Sequence, residues 1–193
     1  MKHNDTTIEE RIKIKETIGS SQERMKSTKY LIDNFNHVKW HTIYDFWEAI
    51  KTAIDSHQCT LTQDYNEHAI GPLAHDTANR KSEETGIEFE VRLGLSCFIR
   101  HEPNEALFWG IDLAKADDAA QAKLNDLVKQ HHIKYSTTRS YWWNYLFFEN
   151  GDRLWLKEFL YDSTFNLIEP KFRNNTAQLF VNRVIDFVQQ HQL

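Results

Sequence analysis

The sequence predicts an α+β fold in which a mostly antiparallel sheet is flanked by helices and preceded by a long N-terminal helix. Three observations lead to this prediction. Residues 86–113 contain three successive runs with apolar side chains at alternating positions, a pattern typical of strands with one buried face. Segments with apolar residues at helical spacing lie on both sides of these runs. The stretch that comes first, residues 6–36, is charged and poor in glycine.

The N-terminal stretch predicts a helix that breaks near Gly19-Ser20-Ser21, because glycine and serine weaken helical propensity. We assign residues 1–38 to an amphipathic helical extension and residues 39–193 to the α+β domain. The extension carries a loose heptad seam formed by Ile14, Ile18, Met25, Ile32 and Phe35. This seam has to pack on something. The candidates are a helix of the same chain, a second copy in a homo-oligomer, or a second domain that the helix joins to the first.

A second helix is predicted to start at Thr42, whose hydroxyl would cap the amide of Asp45. Its buried stripe would be Ile43, Phe46, Trp47, Ile50 and Ile54. A strand is expected at Cys59–Thr62. The polar residues 63–84 contain Gly71-Pro72 and predict a long loop with little regular structure.

The second half of the chain predicts further strands and helices. After the three strands, Asp117-Asp118 open a helix that runs to about His131. Residues 141–148 and 154–160 read as two strands, and Asn150-Gly151 between them is a strong hairpin signal. The last helix is expected near residues 175–190.

Composition excludes several function classes. The 193 residues carry a net charge of −5, which argues against a wholly basic nucleic-acid protein, although a local basic patch in the second half stays open. No apolar run reaches the roughly 20 residues that span a bilayer, and no secretory signal begins the chain. We therefore expect no membrane partner and a cytoplasmic location. Cys59 and Cys97 are expected to be reduced, buried thiols.

Two patterns would carry catalysis or metal binding. A small metal-dependent nuclease would hold Mg²⁺ through Asp152 or Asp162 with Glu169, and Lys171 would orient water and stabilise phosphorane charge. The plainer interpretation of Glu169-Pro170-Lys171 is a solvated turn before the last helix. The chain also has ten histidines, but His37 with His41, His68 with His75, and His131-His132 complete no recognisable ligand set. We therefore expect no metal and no other cofactor, with Mg²⁺ required only by the nuclease alternative.

Aromatic residues form the candidate binding surface. Trp142 and Trp143 are adjacent on a predicted strand, so they point to opposite faces, one towards the core. The other, with Arg139 and Tyr141, would either stack on a base or a partner side chain or lie buried under a second layer. A third possibility is a small-ligand pocket lined by Trp109, Trp142 and Tyr145.

About 150 residues, from Trp40 onward, resemble the C-terminal accessory domain of some bacterial and phage proteins in the PD-(D/E)xK nuclease superfamily. The resemblance is carried by Trp40-His41-Thr42, Asp45-Phe46-Trp47, Ile87-Glu88-Phe89, Phe108-Trp109-Gly110-Ile111 and Trp142-Trp143. In those proteins a nuclease core comes before the long helix, and this chain departs from them because that core is missing. The resemblance therefore implies a non-catalytic recognition or regulatory module and transfers no catalytic residue.

The leading functional prediction is a non-catalytic binding module that engages a protein or, as the second option, a nucleic acid. The contact would use the aromatic sheet face, residues 63–84 or the N-terminal helix. Self-association through that helix is one form of the protein contact. The small metal-dependent nuclease is the alternative.

Overall fold

The computed structural model describes residues 8–62, 67–79, 85–92, 95–101, 106–112, 117–131, 134–136, 141–148, 150–156 and 162–193. The chain forms two compact units, Met1–Lys39 and Trp40–Leu193. Within the described residues, no helix combines the length and the apolar character that crossing a bilayer requires.

The described helices and strands follow the predicted order closely. The helices are α1 (Ile8–Ile18), α2 (Gln22–Ser56), α3 (Glu67–Asn79), α4 (Asp118–His131), α5 (Asp162–Phe165) and α6 (Pro170–Gln190), with a 3₁₀ turn at Asn166–Ile168. The strands are β1 (Thr60–Leu61), β2 (Thr85–Arg92), β3 (Leu95–His101), β4 (Leu107–Asp112), β5 (Lys134–Ser136) and β6 (Tyr141–Tyr145). The α+β class and the long N-terminal helix are confirmed.

The strands form one antiparallel sheet in the order β1-β2-β3-β4-β6-β5. The register places Cys97 opposite Ile111, and Ile111 opposite Trp142, so apolar residues of neighbouring strands share one face. Helices supply the rest of the core on this face. The buried cluster includes Phe46, Trp47 and Ile50 of α2, Leu124 of α4, and Phe180, Val184 and Val188 of α6.

The N-terminal helices show one confirmed and one wrong prediction. The break is confirmed, since α1 ends at Ile18 and the Ser21 hydroxyl caps α2 by accepting a hydrogen bond from the Arg24 amide at 3.2 Å. The predicted helix start at Thr42 is wrong. No glycine or proline interrupts residues 22–56, and Thr42 is a buried interior residue with 5% exposure. Threonine favours the N-cap position, but it is also tolerated inside a helix when the residues on both sides are helical.

The predicted loop at residues 63–84 is also wrong over residues 67–79, which form α3. Ile70, Ala74 and Thr77 are fully buried and fall at helical spacing. Pro72 lies inside this helix, is exposed, and lacks the amide that would bond to the carbonyl of residue 68. Burial of one face outweighs the local Gly-Pro signal.

Over the described part of residues 141–160, the pairing of the predicted hairpin is limited to one bridge between Phe147 and Arg153. The Asn-Gly turn is present, because Gly151 adopts φ +86° and its amide donates to the Phe148 carbonyl at 3.0 Å. The arms diverge since both also bond to the start of β4: Leu107 donates to the Leu154 carbonyl at 3.2 Å. Residues 157–160 lie outside the described part of the chain. The last helix starts earlier than predicted, at Pro170.

Candidate functional site

The strand β6 sends its two tryptophans to opposite faces of the sheet, as the sequence predicts. Trp142 is 7% exposed and belongs to the main core. Trp143 is half-buried on the second face, where its ring makes edge-to-face contacts with Phe108 at 5.5 Å and Tyr145 at 5.2 Å between ring centroids. Trp143 is therefore part of an aromatic layer.

This aromatic layer covers the second face of the central strands. It consists of Phe98, Ala106, Phe108 and Tyr145, which are buried, and Trp143, Phe147 and Trp155, which are partly buried. Gly110 makes space for it, because a Cβ atom at this position would overlap the Phe98 ring. The edge-to-face geometry of the pairs is the arrangement that ring quadrupoles favour.

Two arginines lie on these rings. The Arg153 guanidinium is 3.9 Å from the Tyr145 centroid, and the Arg100 guanidinium is 4.1 Å from the Phe98 centroid. Arg100 also forms an ion pair with Glu88. The same sheet face carries further carboxylates at Glu90 and Asp112, by strand alternation. Among the described side chains of this face, positive charges therefore do not exceed carboxylates, whereas phosphate binding depends on an excess of positive charge.

The remaining predicted binding residues are only partly described. Tyr141 pairs with Asp112 on the neighbouring strand, while its side chain lies outside the described set. Arg139 lies outside the described residues. The pocket predicted between Trp109, Trp142 and Tyr145 is not formed. Trp109 and Trp142 belong to the main core, whereas Tyr145 belongs to the aromatic layer on the other face.

The residues of the nuclease alternative fall on three separate elements. Asp152 is exposed on the 148–152 turn, Asp162 begins α5, and Glu169 and Lys171 are exposed at the start of α6. The Asp162 side chain is not among those described. Among the described side chains, His, Cys, Asp and Glu form no group of three or more suited to a metal ion. The described residues give no support to a Mg²⁺ site.

The N-terminal unit exposes large apolar side chains along one face of α2. We define the apolar stripe as Met25, Leu31, Ile32, Phe35 and Val38, which are 58%, 66%, 69%, 43% and 44% exposed. At 3.6 residues per turn these side chains lie within an arc of about 140°. The heptad seam of the sequence analysis contains Met25, Ile32 and Phe35 but misses Leu31 and Val38, which a 3.6-residue period would have included.

The described residues of the unit Trp40–Leu193 include the walls of two clefts. One, of about 340 Å³, lies between α2 and α6 and includes Asp45 and Arg173. The Arg173 guanidinium is 3.4 Å from the Asp45 carboxylate and donates to the Leu167 carbonyl at 3.1 Å, so this arginine is already held by the protein. The other cleft, of about 560 Å³, lies between the 148–152 turn and α6 and includes Asp152. Sequence patterns predict neither cleft, because each brings together residues far apart in the chain.

The two cysteines are free thiols. Burial, with nearby Cys59 as a smaller cause, raises the pKa of the Cys97 thiol far above its usual value of 9.0. Burial also raises the pKa of Cys59, which is only partly buried. Cys59 precedes β1, and β2 lies between β1 and β3, so the two Cα atoms are at least roughly 10 Å apart, beyond the ~7 Å that a disulfide spans.

Comparisons with protein-family models, with curated proteins and with solved structures found no match to this chain. The resemblance to the accessory domain of PD-(D/E)xK proteins therefore stays a prediction.

Proposed function

We propose that this chain is a non-catalytic protein-interaction module and that the apolar stripe of α2 is its contact surface. The observation that carries the proposal is the exposure of five large apolar side chains on one face of one helix. Full burial of a side chain of this size is worth roughly 1.5–3 kcal/mol, so a surface of this kind favours association.

The occupant to which we commit is the same stripe of a second copy. A fully exposed large side chain presents roughly 200 Å², so the stripe offers about 550 Å² per copy. Two stripes together would bury about 1,100 Å², close to the ~1,000 Å² that a specific interface needs. An interface of this size fits a weak, reversible pair.

A protein partner is favoured over a nucleic acid. The net charge is −5, both arginines of the aromatic layer lie over aromatic rings, and Arg100 also pairs with Glu88. We also propose a cytoplasmic location, supported by the two free thiols, since reduced cysteines are typical of that compartment.

The test compares three forms of the full chain by light scattering over about 1–100 µM, the range expected for a small interface. The first is the natural sequence, and the second replaces Leu31, Ile32 and Phe35 together by serine. The control is Tyr30→Ser, because Tyr30 is 69% exposed but lies roughly opposite the stripe. We expect the natural chain and the control to dimerise and the triple variant to stay monomeric. A monomeric natural chain would exclude the second copy, and dimerisation of the triple variant would place the contact elsewhere.

A parallel titration tests nucleic acid as the partner. Labelled single-stranded DNA, duplex DNA and RNA are mixed with the chain and Mg²⁺ at two salt concentrations. We expect a flat titration for all three probes. Salt-sensitive binding would contradict the choice of a protein partner, and shortening of a probe would support the nuclease alternative.

A further inference from the structure

The 560 Å³ cleft combines aromatic walls with a fixed carboxylate. Phe148 and Phe172 both line it, with ring centroids 6.1 Å apart and planes inclined by 35°. Phe148 also packs on Phe180 of the core at 5.4 Å, which holds its ring in place. The volume lies within the ~300–1,000 Å³ typical of small-molecule sites.

Asp152 is held by its own turn. The Asn150 amide nitrogen donates to Asp152 Oδ2 at 2.8 Å, and the Asp152 backbone amide donates to Asn150 Oδ1 at 3.1 Å. The Phe148 amide closes the turn by donating to the Asp152 carbonyl at 2.8 Å. A carboxylate offers about four acceptor sites, so Asp152 retains capacity for a donor in the cleft.

Among the described residues, no cationic side chain neutralises the negative charge of Asp152. Its neighbour Arg153 places its guanidinium over Tyr145, at 3.9 Å, and within 5.2 Å of the Phe147 centroid, in the aromatic layer. Within the described part of the chain, no cationic side chain lies within 4 Å of the Asp152 carboxylate. Asp152 is also the one charged residue among the described residues that line the cleft.

We propose that this cleft binds a small organic ammonium ion with an apolar body. The ammonium group would donate to Asp152, and the Phe148 and Phe172 rings would contact the cation and its apolar part. Ser163 and Asn166, on the α5 side of the cleft, offer a hydroxyl and an amide to a second polar group of the ligand. This site lies in residues 40–193 and goes beyond the proposed function, because it uses no residue of the apolar stripe.

The experiment titrates the full chain at low salt with phenethylamine, an aromatic ammonium ion, and with phenethyl alcohol, its neutral counterpart. Binding is followed by NMR chemical-shift changes. We expect the amine to bind about tenfold more tightly than the alcohol, the combined effect of an exposed ion pair and a cation–π contact. Asp152→Asn keeps the shape and removes the charge, so amine affinity should fall to that of the alcohol.

Two further variants separate the site from general effects. Asp186→Asn makes the same change of charge at an exposed position of α6 outside the lining of the cleft, and it should leave amine binding unchanged. Phe172→Leu keeps an apolar wall and removes the ring, so it should weaken the amine more than the alcohol. Circular dichroism verifies that each variant is folded. Equal affinity for amine and alcohol, unchanged amine binding by folded Asp152→Asn, or no binding at millimolar concentration would each overturn the proposal.

Discussion

The two halves of α2 carry the same kind of apolar pattern, but the N-terminal half exposes these side chains and the C-terminal half buries them. In residues 22–39 the stripe leaves Leu31 66% and Ile32 69% exposed. In residues 40–56 the corresponding positions Phe46, Trp47 and Ile50 are 0% exposed. The helix period sets which residues share a face, whereas the sheet and α6 decide whether that face is covered in the C-terminal half. Amphipathic spacing therefore predicts a helix face and leaves its burial open.

The largest expected contrast comes from removing one aromatic side chain from each half. Trp47→Ala should cost about 3–5 kcal/mol of unfolding free energy, because the ring is fully buried and its Nε1 donates to Thr77 Oγ1 at 3.1 Å. Phe35→Ala should change it by no more than ~0.5 kcal/mol, since exposed positions contribute little. Urea unfolding, followed by circular dichroism below the dimer dissociation constant, measures both. A large cost for Phe35→Ala in the monomer would show that the stripe is covered within one chain.

Cys97 belongs to the same buried core as the C-terminal half of α2. The pH dependence of stability that this thiol causes is therefore a second measure of burial in that half. Because the folded pKa of Cys97 is raised, its contribution to stability is fully present below the usual pKa of 9.0. Above that pH the unfolded thiol ionises while the buried thiol stays neutral. Stability should therefore fall as pH rises, by at most ~1.4 kcal/mol per pH unit from this group.

The measurement is the unfolding free energy between pH 8 and pH 10.5 for the natural chain, Cys97→Ala and Cys59→Ala. Other groups titrate in this range, so the difference between variants carries the information. Cys97→Ala should lose most of the cysteine-dependent slope, and Cys59→Ala less, because Cys59 is only partly buried. Equal slopes for the natural chain and Cys97→Ala would mean that the Cys97 thiol is solvated in solution.

Sequence patterns predicted the fold class because apolar residues recur at every second position of β2 and β3, although the expectation of a single buried face is wrong for β3 and β4, which are buried on both faces. Ile87, Phe89, Cys97 and Ile99 all fall on the core face, as alternation predicts. Local signals misled where burial decides the outcome. Gly71-Pro72 indicated a loop, yet burial of Ile70 and Ala74 fixes a helix there. Patterns of this kind also missed the Asp152 cleft, because Phe172 reaches it only through the packing of α6 beside the turn.

The variant with the smallest expected effect tests whether the two halves of α2 unfold locally and independently of each other. Ser21→Ala removes the hydroxyl that accepts from the Arg24 amide, which should destabilise the start of α2 by about 1 kcal/mol. Hydrogen exchange should then speed up about fivefold in residues 25–36 and stay unchanged in residues 46–54. Ser27→Ala is the matched control, because the same change at an exposed interior position raises helical propensity and should slow exchange slightly. Equal acceleration of both segments by Ser21→Ala would mean that α2 opens as one cooperative unit, and the contrast between its halves would then be one of exposure alone.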